Sequence, residues 1–284
     1  MTKPLIAHVS DTARWVAAYR ARESARPDAL FQDALAARLA GEQGHRIADR
    51  ARGTNGDGWP LVTRTKLIDD LVLTAIREGC DCVLNLAAGL DTRPYRLDLP
   101  ASLPWIEADL PALLDEKERA LEGATPRCRL SRERVDLADS AARAALFDRV
   151  AGAHQHVLVI TEGLLVYLDE AMVRALASDL LARATFRSWL IDLSSPGVLA
   201  MMQRSMGSEL SNAPMKFAPE NGVAFFEALG WNVRETRVLV REAVRMKRAP
   251  WFFRLFMAFP DPDPRRLGKK RWGAVVRFER GAAM

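Results

Sequence analysis

The fold of this chain can be inferred from one segment, Cys82-Val83-Leu84-Asn85-Leu86-Ala87-Ala88-Gly89-Leu90-Asp91-Thr92-Arg93. Its first half, Cys82 to Leu86, is short, mainly apolar and bounded by residues that favour turns, which is typical of a buried strand. Ala87-Ala88-Gly89 follows, and such small side chains let the backbone lie directly against a ligand. The sequence therefore predicts a strand that ends in a tight, ligand-contacting turn.

A second apolar segment, Pro104-Trp105-Ile106-Glu107-Ala108, ends at Asp109, 20 positions after Gly89. A strand, a small-residue turn and an acidic residue about 20 positions later is the arrangement that binds a nucleoside, since the carboxylate accepts hydrogen bonds from ribose hydroxyls. An ordinary turn between a strand and a helix has a similar composition. The pattern alone leaves both interpretations open.

The turn and its continuation, Leu86-Ala87-Ala88-Gly89-Leu90-Asp91-Thr92-Arg93-Pro94-Tyr95-Arg96-Leu97, closely resemble the LGAGLDTRAYRL signature of the leucine carboxyl methyltransferase-like family. Members of this family are class I S-adenosylmethionine (SAM)-dependent O-methyltransferases. The resemblance runs from about Ala18 to the C-terminus. Further blocks occur in the family's order: Arg64-Thr65, Glu107-Ala108-Asp109-Leu110-Pro111, Asp136-Leu137 and Glu162-Gly163-Leu164-Leu165-Val166-Tyr167-Leu168.

From Cys82 onward, strand and helix patterns alternate. Strands are predicted near residues 82–87, 104–108, 132–136, 156–161, 187–193, 231–239 and 272–280. Helices are predicted at 111–122, 140–150, 169–184 and 219–229. This alternation predicts an α/β fold with a doubly wound, mainly parallel sheet that binds ligands at the carboxyl ends of its strands. Seven strands agree with what the resemblance implies, a Rossmann-like class I methyltransferase.

Residues 1–79 are predicted to form an N-terminal helical cover over the crevice of the SAM-binding sheet, 80–284, within one methyltransferase domain spanning 1–284. Two helices are predicted between residues 11 and 40, the second starting at Pro27-Asp28 and stopping at Gly41.

Residues 41–58 are rich in Gly, Asp and Asn, and this composition predicts a mobile loop. A third helix is predicted from about Leu61, with Gly79 as its cap.

An insertion near 246–270 carries four prolines around Trp251-Phe252-Phe253-Arg254-Leu255-Phe256, where a short turn would otherwise join the last two strands. Two interpretations stay open: a surface helix folded onto the core, or a segment that binds an apolar acceptor.

Composition excludes several classes of function. The formal net charge is +5, and the basic residues are spread through Ala-rich helices, which favours solvated helix faces over nucleic-acid binding. No signal peptide and no apolar run long enough to span a bilayer are evident, so a cytoplasmic protein without a membrane partner is expected.

The three cysteines indicate reduced thiols, and the four histidines lack zinc-ligand spacing, so no metal is predicted. The oligomeric state stays open.

The resemblance implies roles for eight cofactor-binding residues. Arg64 would pair with the SAM carboxylate, and Asp109 would bind the ribose, with Glu107 as the fallback. Asp136 and Leu137 would contact adenine, and Glu162 would lie near the methionine part of SAM. The backbone of Ala87, Ala88 and Gly89 would contact the cofactor. Each of three residues also has an alternative role that involves no ligand: Arg64 as a solvated surface charge, Asp109 as a helix N-cap and Glu162 as an acid that accepts from amides of its own turn.

The chain departs from the signature at Ala87, where the family has glycine. If this position needs a positive φ, alanine costs about 1 kcal/mol or more, and its methyl group approaches the cofactor. If φ is negative, alanine is harmless.

For a carboxylate acceptor no general base is required, because the acid is already ionised at neutral pH. No catalytic residue is therefore predicted. Weaker candidates for acceptor contacts are Tyr19, Arg93 and Tyr167. Arg93 has an alternative as the partner of Asp91. A hydroxyl acceptor would need a base, for which Tyr167, His154 and His156 are the candidates.

The sequence thus predicts a SAM-dependent O-methyltransferase acting on a carboxylate, or a hydroxyl, of a small and partly apolar metabolite such as a secondary metabolite. A SAM-binding protein without methyl transfer and a carboxyl methyltransferase of a protein C-terminus are the alternatives. A nicotinamide-dependent oxidoreductase is disfavoured, because only Gly89 remains of its three-glycine fingerprint.

Overall fold

The computed structural model describes residues 9–55, 58–206 and 213–281. Its centre is a seven-stranded sheet, and the strands are β1 Cys82–Leu86, β2 Pro104–Asp109, β3 Arg129–Arg134, β4 Val157–Thr161, β5 Phe186–Ser194, β6 Trp231–Val238 and β7 Gly273–Arg280. Their order is β3-β2-β1-β4-β5-β7-β6. Strands β1 to β5 are parallel, whereas β7 runs antiparallel to both of its neighbours. The order reverses between β1 and β4, which opens a crevice at their carboxyl ends.

Helices surround this sheet: α1 Val9–Ser24, α2 Ala36–Asn55, α3 Trp59–Arg77, α4 Arg93–Arg96, α5 Pro111–Ala120, α6 Ser140–Ala153, α7 Glu170–Leu181, α8 Pro196–Met206, α9 Ala224–Glu227 and α10 Leu239–Arg245. Two 3₁₀ helices lie at Leu165–Tyr167 and Trp251–Ala258. Asp169 caps the start of α7, because its carboxylate accepts from the Met172 amide at 2.8 Å. The predicted doubly wound sheet is confirmed as a whole.

The third strand begins earlier than predicted, at Arg129 instead of residue 132. It is an edge strand that pairs with β2 alone, so alternate side chains face solvent and the apolar pattern is weak. Asp136 and Leu137 therefore lie in the loop after β3 and not at its end.

The predicted loop at 41–58 is wrong for its described part, which is helix α2 up to Asn55; residues 56 and 57 lie outside the described residues. Gly41 interrupts α2 with φ 55° and ψ −175°, and the helix then continues. Ile47, Ala48 and Ala51 are buried against α1, so tertiary packing stabilises a segment whose composition favours a loop.

The helix predicted from Pro27-Asp28 to Gly41 is confirmed only over residues 36–40, because residues 25–35 are turns and irregular backbone before α2 begins at Ala36. The apolar spacing that suggested a helix comes from Leu30, Phe31 and Leu35. These side chains pack against the hydrophobic core formed largely by α1 and α2, although their backbone is not helical.

Helix α3 follows the prediction closely. Gly58 precedes it in the left-handed conformation, Pro60 lies in its first turn, and Gly79 follows its end with φ 95°. Leu67, Ile68, Leu71, Val72 and Ala75 are buried in a core that includes β1, β4, β5 and β7 residues. Because α3 packs on this face, it brings Arg64 towards the carboxyl edge of the sheet.

The helix predicted at 219–229 is shortened to α9, Ala224–Glu227. A Cβ at Gly222 would lie 2.1 Å from the Pro264 carbonyl oxygen, so the backbones touch there. Phe225 and Phe226 are buried with Trp189 and Trp231 in the hydrophobic core on the other face of the sheet from α3. Close packing against the insertion therefore decides where this helix starts.

The three cysteines are free and buried, as expected of reduced thiols. Within residues 9–55, 58–206 and 213–281, no helix is both long and apolar enough to cross a bilayer.

Candidate active site

A cavity of about 940 Å³ opens at the carboxyl ends of β1, β2, β4 and β5. The eight residues predicted to bind the cofactor all line it: Arg64, Ala87, Ala88, Gly89, Asp109, Asp136, Leu137 and Glu162. The fold thus brings together residues that are separated by up to 98 positions in the sequence. Glu107 is not among the lining residues, because it is fully buried and paired with Lys117 at 2.8 Å and Arg132 at 3.0 Å.

The turn after β1 is held by Asp109. One carboxylate oxygen of Asp109 accepts from the Gly89 amide at 2.7 Å, and the other accepts from the Leu110 amide at 2.7 Å. Burial raises the pKa of Asp109, and these two amides partly offset that effect. The N-cap of α5 is Leu110, so the N-cap interpretation of Asp109 is wrong.

Ala87 has φ 51°, the left-handed conformation in which glycine is favoured. The structure thus resolves the question that the sequence left open, since this position does need a positive φ. Gly89, two residues on, has φ 49°. An alanine at the first of these positions stores backbone strain of about 1 kcal/mol in the ligand-facing turn.

A buried group of ion pairs lies below this turn and is centred on Arg93. Its guanidinium donates to Asp69 at 2.7 Å, to Asp91 at 2.8 Å and to Glu162 at 2.7 Å. Arg93 is 1% exposed and does not line the cavity. Its contacts favour the interpretation in which it fixes the turn with Asp91, and they leave it no surface towards an acceptor.

Glu162 links this group to the cavity. Its second carboxylate oxygen accepts from Arg64 Nε at 3.0 Å, and Arg64 Nη1 also donates to Asp192 at 2.9 Å. Burial alone would raise the pKa of Glu162, but the Arg93 and Arg64 guanidinium groups hold it below its ordinary value. Glu162 is therefore more than a turn acid, because it pairs with two buried arginines.

Asp192, in the last part of β5, is a site residue that the sequence reasoning missed. It lines the cavity, and its other oxygen accepts from the Gly163 amide at 2.7 Å. The available signal was a single carboxylate inside the apolar run Trp189-Leu190-Ile191-Asp192-Leu193, near the carboxyl end of a predicted strand.

Residues 13–181, more than half of the chain, match the sequence model of the family described as leucine carboxyl methyltransferase. The chain belongs to the leucine carboxyl methyltransferase family. A protein of Mycolicibacterium smegmatis named as an S-adenosyl-L-methionine-dependent methyltransferase is 33% identical over 82% of this chain and 86% of its own length. A protein of Streptomyces avermitilis named in the same way is 33% identical over 78% of this chain and 82% of its own length.

Solved structures agree on the fold. A protein of Thermobifida fusca described as a methyltransferase has a TM-score of 0.61 at 16% identity, covering 99% of this chain and 96% of its own. A DUF574 family protein of Streptomyces avermitilis has a TM-score of 0.59 at 12% identity, covering 95% and 97%. At these identities the likeness concerns the fold alone. The family membership and the named relatives make this chain a SAM-dependent methyltransferase.

In this methyltransferase the loop after β3 is already internally bonded. The Asp136 carboxylate accepts from the Ala138 amide at 2.9 Å, and the Leu137 carbonyl oxygen accepts from Arg143 Nη1 at 2.5 Å. These bonds hold both residues at the cavity wall although they lie beyond the strand.

The two tyrosines predicted to contact the acceptor differ in position, since only Tyr167 lies at the cavity. Tyr167 lines the cavity, and burial raises the pKa of its phenol. Tyr19 does not line it: the ring is fully buried, and a Cβ at Gly58 would lie 2.2 Å from it. Tyr19 is therefore placed as a core residue of the cover.

The histidine candidates lie elsewhere. His154 follows the end of α6, and His156 precedes β4 at the amino end of the sheet, away from the crevice. His8 lies outside the described residues. None of the histidines in the described ranges lines the cavity.

The other part of the cavity wall is apolar. We call Arg64, Asp91, Asp109, Glu162 and Asp192 the polar lining. The apolar lining consists of thioether and aromatic side chains from α3, α8, the loop before α9, the insertion and the residue before β7: Trp59, Met201, Met202, Met215, Phe217, Phe253, Met257, Phe259 and Trp272.

The insertion therefore does more than cover the core. Phe253 and Met257, from its 3₁₀ helix, line the cavity, and the Phe253 ring packs 5.6 Å from that of Trp59 at the start of α3. The insertion is thus a surface 3₁₀ helix that also contributes to the cavity wall, so both interpretations stay open.

Proposed function

We propose that this methyltransferase transfers the methyl group of SAM to an oxygen atom of a small, partly apolar metabolite, and that this oxygen belongs to a carboxylate. One observation carries the proposal: a single cavity combines a polar lining suited to SAM with an apolar lining of methionine and aromatic side chains. Pockets of about 300–1,000 Å³ accommodate drug-sized ligands, so 940 Å³ leaves room for an acceptor beside the cofactor.

The residues present fit SAM. Two nitrogens of Arg64 are engaged by acids, and among the described residues Nη2 has no hydrogen-bond partner, so it would bind the cofactor carboxylate. Each oxygen of Asp109 holds one amide and retains a lone pair for a ribose hydroxyl. Asp136 and Leu137, on the cavity wall, would contact adenine.

Charge supports the same assignment. The buried ion-pair group around Arg93 contains four carboxylates and three arginines, and this excess of negative charge beside the cavity suits a sulfonium and an ammonium group. These groups are Asp69, Asp91, Glu162 and Asp192 with Arg64, Arg93 and Arg96.

Bound SAM supplies an electrophilic methyl group. The chain's own contribution is to hold both partners in line and to exclude water, and orientation of this kind is worth about 7–11 kcal/mol. A carboxylate acceptor needs no proton removed, because it is ionised at neutral pH. The apolar lining would strip water from such a carboxylate and leave it more nucleophilic.

The protonation states favour a carboxylate over a hydroxyl acceptor. A hydroxyl requires a base of suitable pKa, whereas burial raises the pKa of Tyr167, and no histidine of the described ranges lines the cavity. A phenol with a raised pKa stays protonated at neutral pH.

The test has two stages. Calorimetry with SAM and with S-adenosylhomocysteine should show binding by the wild type, weakened at least tenfold in Glu162→Gln and unchanged in Glu170→Gln. The control makes the same substitution at an exposed surface pair. Equal binding by Glu162→Gln would remove this residue from the cofactor site.

The second stage incubates the protein with methyl-labelled SAM and a panel of apolar carboxylic acids, matched phenols and peptides ending in leucine. The proposal expects label in base-labile methyl esters of the small acids. Label in alkali-stable ethers or in the peptides would overturn the acceptor class. SAM binding without transfer to any class would indicate a binding protein.

A further inference from the structure

The insertion presents an apolar surface to solvent. Trp251 is 74% exposed, Phe252 44%, Leu255 67% and Phe259 66%. The other large apolar side chains that are exposed in the described ranges, Leu110, Met172 and Met201, all line the cavity. Clustered exposed rings and a leucine on one short helix mark an interaction surface and not a random exposure.

The same segment carries the chain's excess charge. Residues 246–270 contain seven Lys or Arg and two Asp, a net charge of +5, which equals the formal net charge of all 284 residues. Both acids are engaged: Asp261 pairs with Arg241, and Asp263 accepts from the Arg265 amide. The rest of the chain is therefore neutral overall, and the net positive charge of the protein lies within the insertion.

Five of these cations are exposed and have no ion-pair partner among the described residues: Lys247, Arg254, Arg266, Lys269 and Lys270. Arg248 and Arg265 are the exceptions, since they pair with Glu23 and Glu227. A diffuse basic surface would distribute such charges, whereas here they share a segment with the exposed rings.

We propose that the insertion docks this methyltransferase onto an anionic lipid bilayer, with Trp251, Phe252 and Leu255 entering the interface and the exposed cations contacting lipid headgroups. Apolar side chains with Trp and Phe beside Lys and Arg are the combination that binds such interfaces. A nucleic acid would use the cations but has no use for the exposed Leu255, so the bilayer is favoured. A shallow docking of this kind needs no spanning helix.

The docked orientation has a consequence for the cavity. The 3₁₀ helix Trp251–Ala258 turns Phe253 and Met257 to the cavity and Trp251 and Leu255 to solvent. The bilayer would thus lie against the cavity mouth. An apolar acid could then enter the apolar lining from the lipid, and this last step rests on the proposed function.

The experiment measures sedimentation of the full chain with vesicles, without any acceptor. The probes are vesicles of phosphatidylcholine alone and of phosphatidylcholine with phosphatidylglycerol. We expect binding to the anionic vesicles only, weakened severalfold when the salt concentration rises from 50 to about 200 mM. The double variant Trp251→Ser with Leu255→Asp should bind at least tenfold more weakly and keep wild-type SAM affinity by calorimetry, because neither residue lines the cavity.

A second pair of variants tests the charge. Lys269→Glu with Lys270→Glu should abolish binding to anionic vesicles, whereas Arg119→Glu with Arg187→Glu, the same change of net charge at exposed sites outside the insertion, should reduce it less than twofold. SAM affinity again reports folding independently of docking.

Several results would overturn the proposal. They are no sedimentation of the wild type, equal binding to neutral vesicles, or wild-type binding by the Trp251 and Leu255 double variant. A wild-type dimer that the same variant converts to monomer, without vesicle binding, would show that the surface joins two copies. Retention on duplex DNA or RNA without vesicle binding would assign the cations to nucleic acid.

Discussion

The polar and apolar linings of the cavity are built in different ways. Each member of the polar lining is held by specific partners, as Glu162 is by Arg64 and Arg93. The apolar lining is made from side chains such as Met202, Met257 and Phe253, whose contacts require shape but no partner. Buried charges need defined geometry, and apolar surface does not. This difference explains why most of the polar lining could be recognised from sequence motifs, whereas the apolar lining forms only when distant segments pack together.

Removing the hub of the polar lining should have the largest effect. Arg93→Met would leave Asp69, Asp91 and Glu162 buried without their shared cation, and breaking a buried pair costs about 3–5 kcal/mol. Urea unfolding should show a loss of at least about 3 kcal/mol. Arg149→Met, at an exposed pair with Glu133, should cost less than about 1 kcal/mol. Similar values for both would mean that the buried network does not stabilise the turn.

The second prediction concerns Asp109, the carboxylate proposed to bind the ribose. Asp109→Asn places an amide where two backbone N–H groups now donate, and a hydrogen bond to a charged group is worth about 1.5–3 kcal/mol. SAM affinity measured by calorimetry should fall at least about tenfold. Asp115→Asn, on the exposed face of α5, should leave it unchanged. Wild-type affinity in Asp109→Asn would limit this residue to holding the turn.

The third prediction is a pH dependence of stability. Burial opposes ionisation of Asp91 and Glu162, but the arginines hold both pKa values below their ordinary range in the folded state. A depressed folded pKa stabilises the protein above the unfolded value near 4, and this contribution is lost as the pH falls below it. The free energy of unfolding should therefore drop between about pH 5 and pH 3.

Glu162→Gln isolates one contribution to that drop, because it removes one of the two titrating groups. Its unfolding free energy should fall less steeply over the same pH interval than that of the wild type. Parallel curves would show that Glu162 ionises with the same pKa in both states.

The fourth prediction concerns strain in the turn. Ala87→Gly relieves the positive φ and should raise the free energy of unfolding by about 1 kcal/mol in urea titrations. Ala88→Gly is the matched control, because Ala88 has no positive φ and the added chain entropy should destabilise. Destabilisation by both substitutions would contradict stored strain at Ala87.

The smallest effect is expected in the apolar lining. Met257→Ser changes a cavity wall that the proposal assigns to the acceptor, so SAM affinity should change less than twofold while Asp109→Asn changes it strongly. Calorimetry of the two variants compares the linings directly. A tenfold loss in Met257→Ser would mean that SAM occupies the apolar lining too.

Much of the site could be predicted because charged residues sit at fixed offsets from recognisable strands. Gly89 lies in the turn just after β1 and Asp109 ends the neighbouring strand β2, so the parallel pairing of the two strands brings them within hydrogen-bond distance. Asp192 was missed because it comes from β5, far along the chain. A single acidic residue inside an apolar strand belongs to no local motif from which its hydrogen-bond partners could be predicted.

Errors in the helical cover have a different cause. Residues 42–55 have a loop-like composition, yet they form helix because Ile47, Ala48 and Ala51 pack on α1. Tyr19 and Arg93 were candidates for acceptor contacts because side-chain direction cannot be read from spacing alone. Burial places Tyr19 in the cover core and Arg93 below the turn.

The sheet, the turn after β1 and eight residues that line the cavity could be predicted from sequence alone, because they depend on local patterns and on spacings set by strand length. Three properties became visible only in the folded chain: Arg93 is an internal ion-pair partner, Ala87 is strained, and the insertion lines the cavity while it exposes Trp251 and Leu255. These properties depend on which surfaces meet after folding, and contacts between distant segments leave no periodic signal in either one.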